Sequence, residues 1–399
     1  MIRYDCLILG AGAAGMMCAA HAAARGARVL VLDHAKAPGE KIRISGGGRC
    51  NFTNLHAGPG NFLSENPHFA KSALARYTQW DFIDLVTRHG IGWHEKTLGQ
   101  LFCDDKATRI VAMLVEEMRR AGAALRLQAP VADVAHGPEG FRVTLASGEV
   151  LGANAMVLAT GGKSIPKMGA TDFAHRVARG FGHRVTETRP GLVPLTLSGA
   201  VLEGLKPLAG LSVPVIATAG GAQFEEGLLV THRGLSGPSI LQISNYWREG
   251  DEIALNLLPG QDAVAALKAL RTERGRKSVG NALATRLPAR MAAHAAARAG
   301  LADNMADLSD RGLTRLAEAL TDWRLTPAGT EGYRTAEVTL GGIATDGIDA
   351  RSLESRHVPG LYMIGEAVDV TGWLGGFNFQ WAWSSGWAAG SAIAERAAG

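Results

Sequence analysis

The order of events in the first 33 residues restricts the fold more than anything else in the chain. A short apolar run, Tyr4 to Leu9, stops at Gly10-Ala-Gly12-Ala-Ala-Gly15. An alanine-rich helical stretch follows to about Arg25, and a second apolar run, Ala27 to Leu32, ends at Asp33. Strand, glycine turn, helix, strand and acid in that order open a βαβ unit. Each glycine has its own task. Gly10 makes the tight turn, Gly12 lets backbone N–H groups reach a pyrophosphate, and Gly15 lets the helix begun by Ala13 and Ala14 pack on the strand. The positive end of that helix then faces the phosphates. Asp33 is placed to accept hydrogen bonds from ribose hydroxyls and to repel a 2′-phosphate, which disfavours NADP at this position. The competing reading is a structural turn that holds no ligand.

Two further strand ends carry the same texture. Ala159-Thr160-Gly161-Gly162 closes the apolar run Ala155 to Ala159, and Gly365-Glu366-Ala-Val-Asp369 follows Leu361 to Ile364. An NAD enzyme needs one glycine fingerprint, whereas an extended FAD needs backbone at several strand ends. FAD is therefore the expected dinucleotide. Glycine usage agrees: 51 of 399 residues, well above the roughly 7% of an average protein, gathered in short runs without a collagen-like period.

A chain of this length predicts about two to three domains. Residues 39 to 54 read as a glycine-rich loop, 69 to 88 and 104 to 120 as helices, and 124 to 158 as a small antiparallel meander ending in a buried strand. At Pro190 the texture changes to short strands punctuated by Pro and Gly. Alanine-, leucine- and arginine-rich helices follow over 262 to 323, and strand signals return at Ala336 to Leu340. The expected architecture is α/β: a dinucleotide-binding domain (1–189 and 345–399), interrupted by a β-rich subdomain (190–260 and 326–344) and a helical subdomain (261–325). With 47% hydrophobic and 20% charged residues, large-scale disorder is excluded. Four cysteines without a C-x-x-C pair make neither a disulfide framework nor a metal motif, and point to a reducing cytoplasm. No charge-free apolar run of about 18 residues predicts a membrane span. A net charge of +4 is by itself no argument for nucleic acid.

The segment Glu40-Lys-Ile-Arg-Ile-Ser-Gly-Gly-Gly-Arg-Cys-Asn-Phe-Thr-Asn54 is far more specific than a glycine fingerprint. Together with Gly10 to Gly15, Thr231-His-Arg-Gly-Leu-Ser-Gly-Pro238 and Gly372-Trp-Leu-Gly-Gly-Phe-Asn-Phe-Gln-Trp-Ala-Trp-Ser-Ser-Gly386, it resembles the BaiN/RdsA-type NAD(P)/FAD-dependent oxidoreductases, from first strand to last helix. The resemblance implies a Rossmann-like FAD domain split by a β-barrel-like and a helical insertion. It also implies reduction of activated C=C bonds, including steroid-like enones and a uracil of large-subunit ribosomal RNA, with NAD(P)H as transient reductant. Besides the three strand ends, it implies cofactor contacts from Lys41, Gly47, Gly48, Arg49, Cys50 and Asn51, from Val131, and from Gly375, Gly376, Phe377, Asn378 and Phe379. One departure stands out: Gly169-Ala-Thr-Asp172 lacks the second glycine of a Gly-x-Thr-Gly-Asp run. That bears on a close backbone approach there and not on the fold.

The residues themselves allow these roles and plainer ones. Gly46 to Gly48 expose N–H groups and leave room for a flat ring. Lys41, Arg43 and Arg49 would offset phosphate or reduced-flavin charge, or else sit solvated at the surface. Cys50 is a candidate acid–base or redox group with a lowered pKa, or a small buried filler. Cys6 and Cys18 read as packing, and Cys103 as either. Gly375-Gly376 precede a helix whose N-terminus would face the flavin pyrimidine edge. Trp381, Trp383 and Trp387 read mostly as core, with Asn378 and Phe379 the better site candidates. His232 would polarise a substrate carbonyl, or is structural.

The expected chemistry is hydride transfer from tightly held, non-covalent, reduced FAD to the β-carbon of a carbonyl-conjugated C=C bond. Cys50 would protonate the α-carbon, with His232 next in line. Uracil, with C5=C6 beside the C4 carbonyl, qualifies as well as an enone, but must be unstacked first. From Lys268 to Arg298 eight cations stand against one acid, Glu273, which is either an RNA-backbone footprint or a solvated helical surface. The expected substrate is thus a small molecule or an RNA. A flavin-containing binding or assembly protein with structural FAD is the rival from another class, and a plain NAD dehydrogenase the third reading. No second G-x-G-x-x-G marks where NAD(P)H binds.

Overall fold

Exposure falls along β1 (Ile2–Leu9), whose first residues are solvated and whose last four, Cys6 to Leu9, are buried. A strand that enters the middle of a sheet behaves this way. The computed structural model describes residues 2–301 and 303–398. The chain divides into two units, Met1–Arg189 with Val338–Gly399, and Pro190–Glu337.

In the first unit, β1 leads through the glycine turn into α1 (Ala13–Ala23) and then β2 (Val29–Leu32). Five strands run parallel in the order Ala124–Arg126, β2, β1, Val150–Leu158, Leu361–Met363. The hairpin Val131–Gly137/Gly140–Leu145 pairs antiparallel with the first half of Val150–Leu158. This is the Rossmann-like sheet the sequence predicts. The alanines of α1 are explained by its second neighbour, the C-terminal helix Phe377–Ala398. A Cβ on Gly386 or Gly390 would run into the carbonyl oxygens of Ala14 and Cys18, so the two helix backbones lie in contact. Trp381 and Trp383 are core: their indoles donate to Gly365 O and Phe52 O, and Trp383 stacks on Phe82 at 4.2 Å.

The expected loop over 39–54 is in part regular. Helix α2 (Glu40–Gly48) is helical until Ser45, where ψ jumps to 148°, and Gly46 and Gly47 are left-handed at φ 57° and 67°. The chain then enters β3 (Asn51–Asn54), which pairs with Gln100–Cys103; Trp93–Glu95 adds a third strand. Three glycines end a helix because each costs about 1 kcal/mol of helix propensity, while most other residues resist the left-handed turn. The helix expected over 69–88 is likewise two, Lys71–Arg76 and Gln79–Arg88, since Thr78 and Asp81 form a capping box that starts the second.

The second unit is an antiparallel sheet ordered Trp323–Leu325, Ile253–Asn256, Ser212–Ala219, Ala222–Val230, Gly234–Ser236, Leu195–Thr196, Gly329–Thr330. Its two edge strands follow one another in the chain, separated only by 326–328. Chain length keeps those edges close, so the sheet curls towards a barrel without a pairing that closes it among the described residues. Helices Ala263–Arg274, Val279–Leu283, Ala289–Arg298 and Asp310–Thr321 are inserted between Ile253–Asn256 and Trp323–Leu325. The return to the first unit comes at Val338 rather than at 345. Thr339 is the reason: its amide donates to Glu366 and its hydroxyl accepts from the amides of Lys163 and Ser164. Among the described residues no helix is long and apolar enough to cross a membrane, and no cluster of His, Cys, Asp and Glu could hold a metal.

Candidate active site

The three glycine-bearing strand ends meet. Gly10, at φ 111°, leaves no space for a Cβ against the Ala159 carbonyl, and Gly15 leaves none against the Gly10 carbonyl. Gly365 lies against Ala14, where a Cβ would come within 2.9 Å of the alanine methyl. Gly12 differs: nothing stands within 4 Å of the position its Cβ would take. The Asp33 carboxylate accepts from Ala11 N at 2.6 Å and Ala35 N at 2.8 Å, with His34 Nδ1 3.6 Å away. At the end of Val150–Leu158, Ala159 is buried and Gly161 again faces open space. The Thr160 hydroxyl is buried without a hydrogen-bond partner among the described residues. Val131 is half-buried, in register with Leu145 at the start of its strand.

Lys41 and Glu366, both expected at the cofactor, are each other's partners. Lys41 Nζ lies 2.6 Å from Glu366 Oε2 and 2.5 Å from Ser164 Oγ, and Ser164 donates 2.9 Å to Glu366 Oε1. Burial pushes the Glu366 carboxyl up, but the Lys41 ammonium, the Ser164 hydroxyl and the Thr339 amide outweigh it, so it titrates below its ordinary range. This knot ties α2 to Gly162 and Gly365, since a Cβ on Gly162 would meet Thr339 and Glu366. Nothing local in the sequence singles out Thr339, and Ser164 is marked only by standing two residues after the glycine pair Gly161-Gly162.

In the α2 kink, Gly46 is confined by Asn51 N and the Phe102 ring, both 2.8 Å from a would-be Cβ. Gly47 has nothing within 4 Å, and Gly48 has only Arg43 O at 3.9 Å. Arg49 is exposed, while Arg43 donates to Pro38 O. Cys50 is corrected. It is fully buried in the core, at φ 52°, its amide bonded to Ser45 O. Burial pushes its thiol well above the ordinary cysteine range, and a hydrogen bond with Ser45 recovers only part of that. A shielded thiol that resists ionisation is a filler and not a proton donor to a substrate. The Asn51 amide meets that of Gln100 at 3.2 Å.

At the last turn, Gly375 and Gly376 are left-handed (φ 107° and 96°) and abut Gln100 and the Thr53 carbonyl. Asn378 is committed to its own turn, accepting from Gly372 N at 2.8 Å and donating to Gly372 O at 2.9 Å. Phe377 is buried edge-on to Phe62, and Phe379 stacks on Trp383 at 5.6 Å. Asp369 is buried and accepts from Glu65 N at 2.9 Å; burial raises its pKa. The side chains of Asn378, Phe377 and Asp369 thus each have a partner within the fold. In the segment 169–172 Gly169 lies against the His34 ring.

His232 falls in the second unit, exposed on the turn closed by Thr231 N and Gly234 O. Of the eight cations between 268 and 298, four are bound within the unit. Arg271 pairs with Asp310, Arg286 donates to Gln261, Arg290 to Pro207 O, and Arg298 to Ala319 O while covering Trp323. Lys268, Arg274, Arg276 and Lys277 are exposed, with no ion pair among the described residues.

A parallel sheet in this order, with glycine-bearing strand ends gathered at one edge, defines the dinucleotide-binding class. Residues 4–392 match the family described as HI0933-like protein Rossmann domain, and the chain belongs to that family. It is 54% identical to the ribosomal RNA dihydrouridine synthase of Escherichia coli (strain K12), over 97% of both chains. It is 29% identical to the 3-dehydro-bile acid delta(4,6)-reductase of Clostridium scindens, over 98% of each. Among solved structures, the 3-ketosteroid-delta4-(5alpha)-dehydrogenase of Rhodococcus jostii RHA1 shares the fold, with TM-score 0.55, 16% identity, and 98% and 97% of the two chains covered. The chain is an oxidoreductase of the flavoprotein class.

Proposed function

We propose that the chain uses FAD, with NAD(P)H as transient reductant, to reduce the C5=C6 bond of a uracil in large-subunit ribosomal RNA. The observation that carries this reading is the 54% identity to the Escherichia coli synthase over 97% of both chains. The residues fit FAD. Gly12, Gly47 and Gly161 keep space clear where their neighbours are crowded, and the orphaned Thr160 hydroxyl calls for a partner from outside the chain. Each Asp33 oxygen spends one lone pair on a backbone amide, which leaves one on each for a ribose hydroxyl.

When bound, FAD supplies hydride to a carbonyl-conjugated C=C bond. The chain's own groups position it: the Lys41–Glu366–Ser164 knot fixes the spacing of three glycine segments, and the Gly46–Gly48 kink offers uncovered backbone. For RNA, the four free cations Lys268, Arg274, Arg276 and Lys277 provide a sequence-independent grip on phosphates.

A second reading, reduction of a small-molecule enone, rests on the bile-acid reductase likeness. Mass analysis of ribosomal RNA from a strain lacking the gene separates the two. One dihydrouridine should revert to uridine, losing the mass of two hydrogens. Unaltered RNA, with enone reduction by the purified protein at the expense of NAD(P)H, would install the second reading instead.

A further inference from the structure

Among the described residues five large apolar side chains are exposed: Ile2, Ile44, Trp80, Leu98 and Val201. Leu98 is the only one of them with positive φ. It sits at the tip of the hairpin joining Trp93–Glu95 to Gln100–Cys103, 57% exposed. Leu98 at φ 50° and Gly99 at φ 75°, with Gln100 N donating to Thr97 O at 2.9 Å, make a turn of the primed type. Both central positions of such a turn favour Gly, Asn or Asp, and a leucine there holds a left-handed backbone at a cost. Strain of this kind persists where the surroundings impose it.

Here they do. The buried Asn54 amide donates to Leu98 O at 3.1 Å and to Gly375 O at 2.9 Å, and Glu95 accepts from Gly99 N at 3.0 Å. Gln100, next in the chain, lies against Gly375, and Phe102 lies against Gly46. The hairpin is thus fastened between the α2 kink and the Gly375-Gly376 turn, with its backbone buried at Gly99 and one leucine left in solvent. Lys96, exposed beside it, covers the Phe102 ring at 5.5 Å. An apolar side chain on a rigid tip, next to a cation, has the form of a wedge that enters a base stack.

We propose that Leu98 is such a wedge: it fills the gap left in an RNA stack when the uracil is extruded towards the Gly46–Gly48 kink. The inference rests on the RNA reading above. Extrusion costs the unstacking of the target base, least where the stack is already broken. Leu98→Asn is the informative substitution, because asparagine suits the turn and removes only the apolar tip. The probes are a ribosomal RNA fragment carrying the target uracil and the same fragment with abasic sites on both sides of it. FAD content reports folding. On the intact fragment the variant should reduce uracil about tenfold or more slowly than its parent, and the abasic flanks should restore the rate. Equal rates for variant and parent on the intact fragment, or an equal loss on both fragments, overturn the wedge while leaving the RNA reading in place. A parent protein inert on both fragments overturns the RNA reading, and the wedge with it.

Discussion

In the turn Gly10–Gly15 two of three glycines are confined by neighbouring backbone, whereas in the kink Gly46–Gly48 only the first is confined. The turn is shaped by packing: Gly10 and Gly15 exist because β1, α1 and Ala159 lie too close for a side chain, and Gly12 alone is left open. The kink is held from its two ends. Lys41 ties the helix before it to Glu366, Cys50 buries the chain after it, and the middle stays uncovered. Two glycine runs thus serve different purposes, one to set geometry and the other to leave room.

The largest effect should separate these purposes directly. Gly15→Ala puts a methyl into the Gly10 carbonyl, a backbone collision no rotamer relieves, and should cost about 3 kcal/mol of stability together with FAD binding. Gly47→Ala meets nothing, so it should cost only about 1 kcal/mol for its left-handed backbone while still weakening FAD. Thermal midpoints beside FAD dissociation constants test the pair. A Gly47→Ala protein that binds FAD like its parent would break the contrast.

Next comes the knot that holds the kink from upstream. Lys41→Met leaves the Glu366 carboxylate without its ammonium, in a place where the two side chains are 33% and 20% exposed. We expect a loss of about 2 kcal/mol, less than for a fully buried pair. Adding Glu366→Gln should recover part of it, because the stranded charge is then gone. Denaturant unfolding of both singles and the double provides the cycle, and strict additivity would show that the pair does not couple.

The smallest effect belongs downstream. Cys50→Ser should lower stability by about 1 kcal/mol, since a hydroxyl replaces a thiol in the core. Flavin reduction by NAD(P)H and substrate reduction should both stay within about threefold. A fall of 10² to 10⁴ in substrate reduction alone, as on removal of a general acid, would return Cys50 to the chemistry.

The βαβ opening and the glycine-bearing strand ends were legible because their signals are local: an apolar run, a residue that tolerates positive φ, an acid at a strand end. The helix inside 39–54 is hidden by the glycines that follow it, and 69–88 reads as one helix although the capping box at Thr78 starts a second. Asn378 is expected at the cofactor from the family resemblance and Asp369 from the strand end that opens at Gly365; in the fold both side chains accept from backbone amides, Gly372 N and Glu65 N. Such satisfaction is obligatory for buried amides, and sequence carries no mark of which side chain will supply it.

By itself, the sequence determined the class of sheet, the dinucleotide chemistry of its strand ends and the existence of an insertion, all of which follow from periodicity and residue type over short spans. Only the tertiary structure decided that Lys41 would spend its charge on Glu366, that Cys50 would be sealed in the core, that four of the eight cations between 268 and 298 would be bound internally, and that Leu98 would stand out from a pinned turn. Most of these depend on which distant segments meet. An ion pair or a burial formed across hundreds of residues is fixed by the packing of whole elements, and no local pattern encodes it.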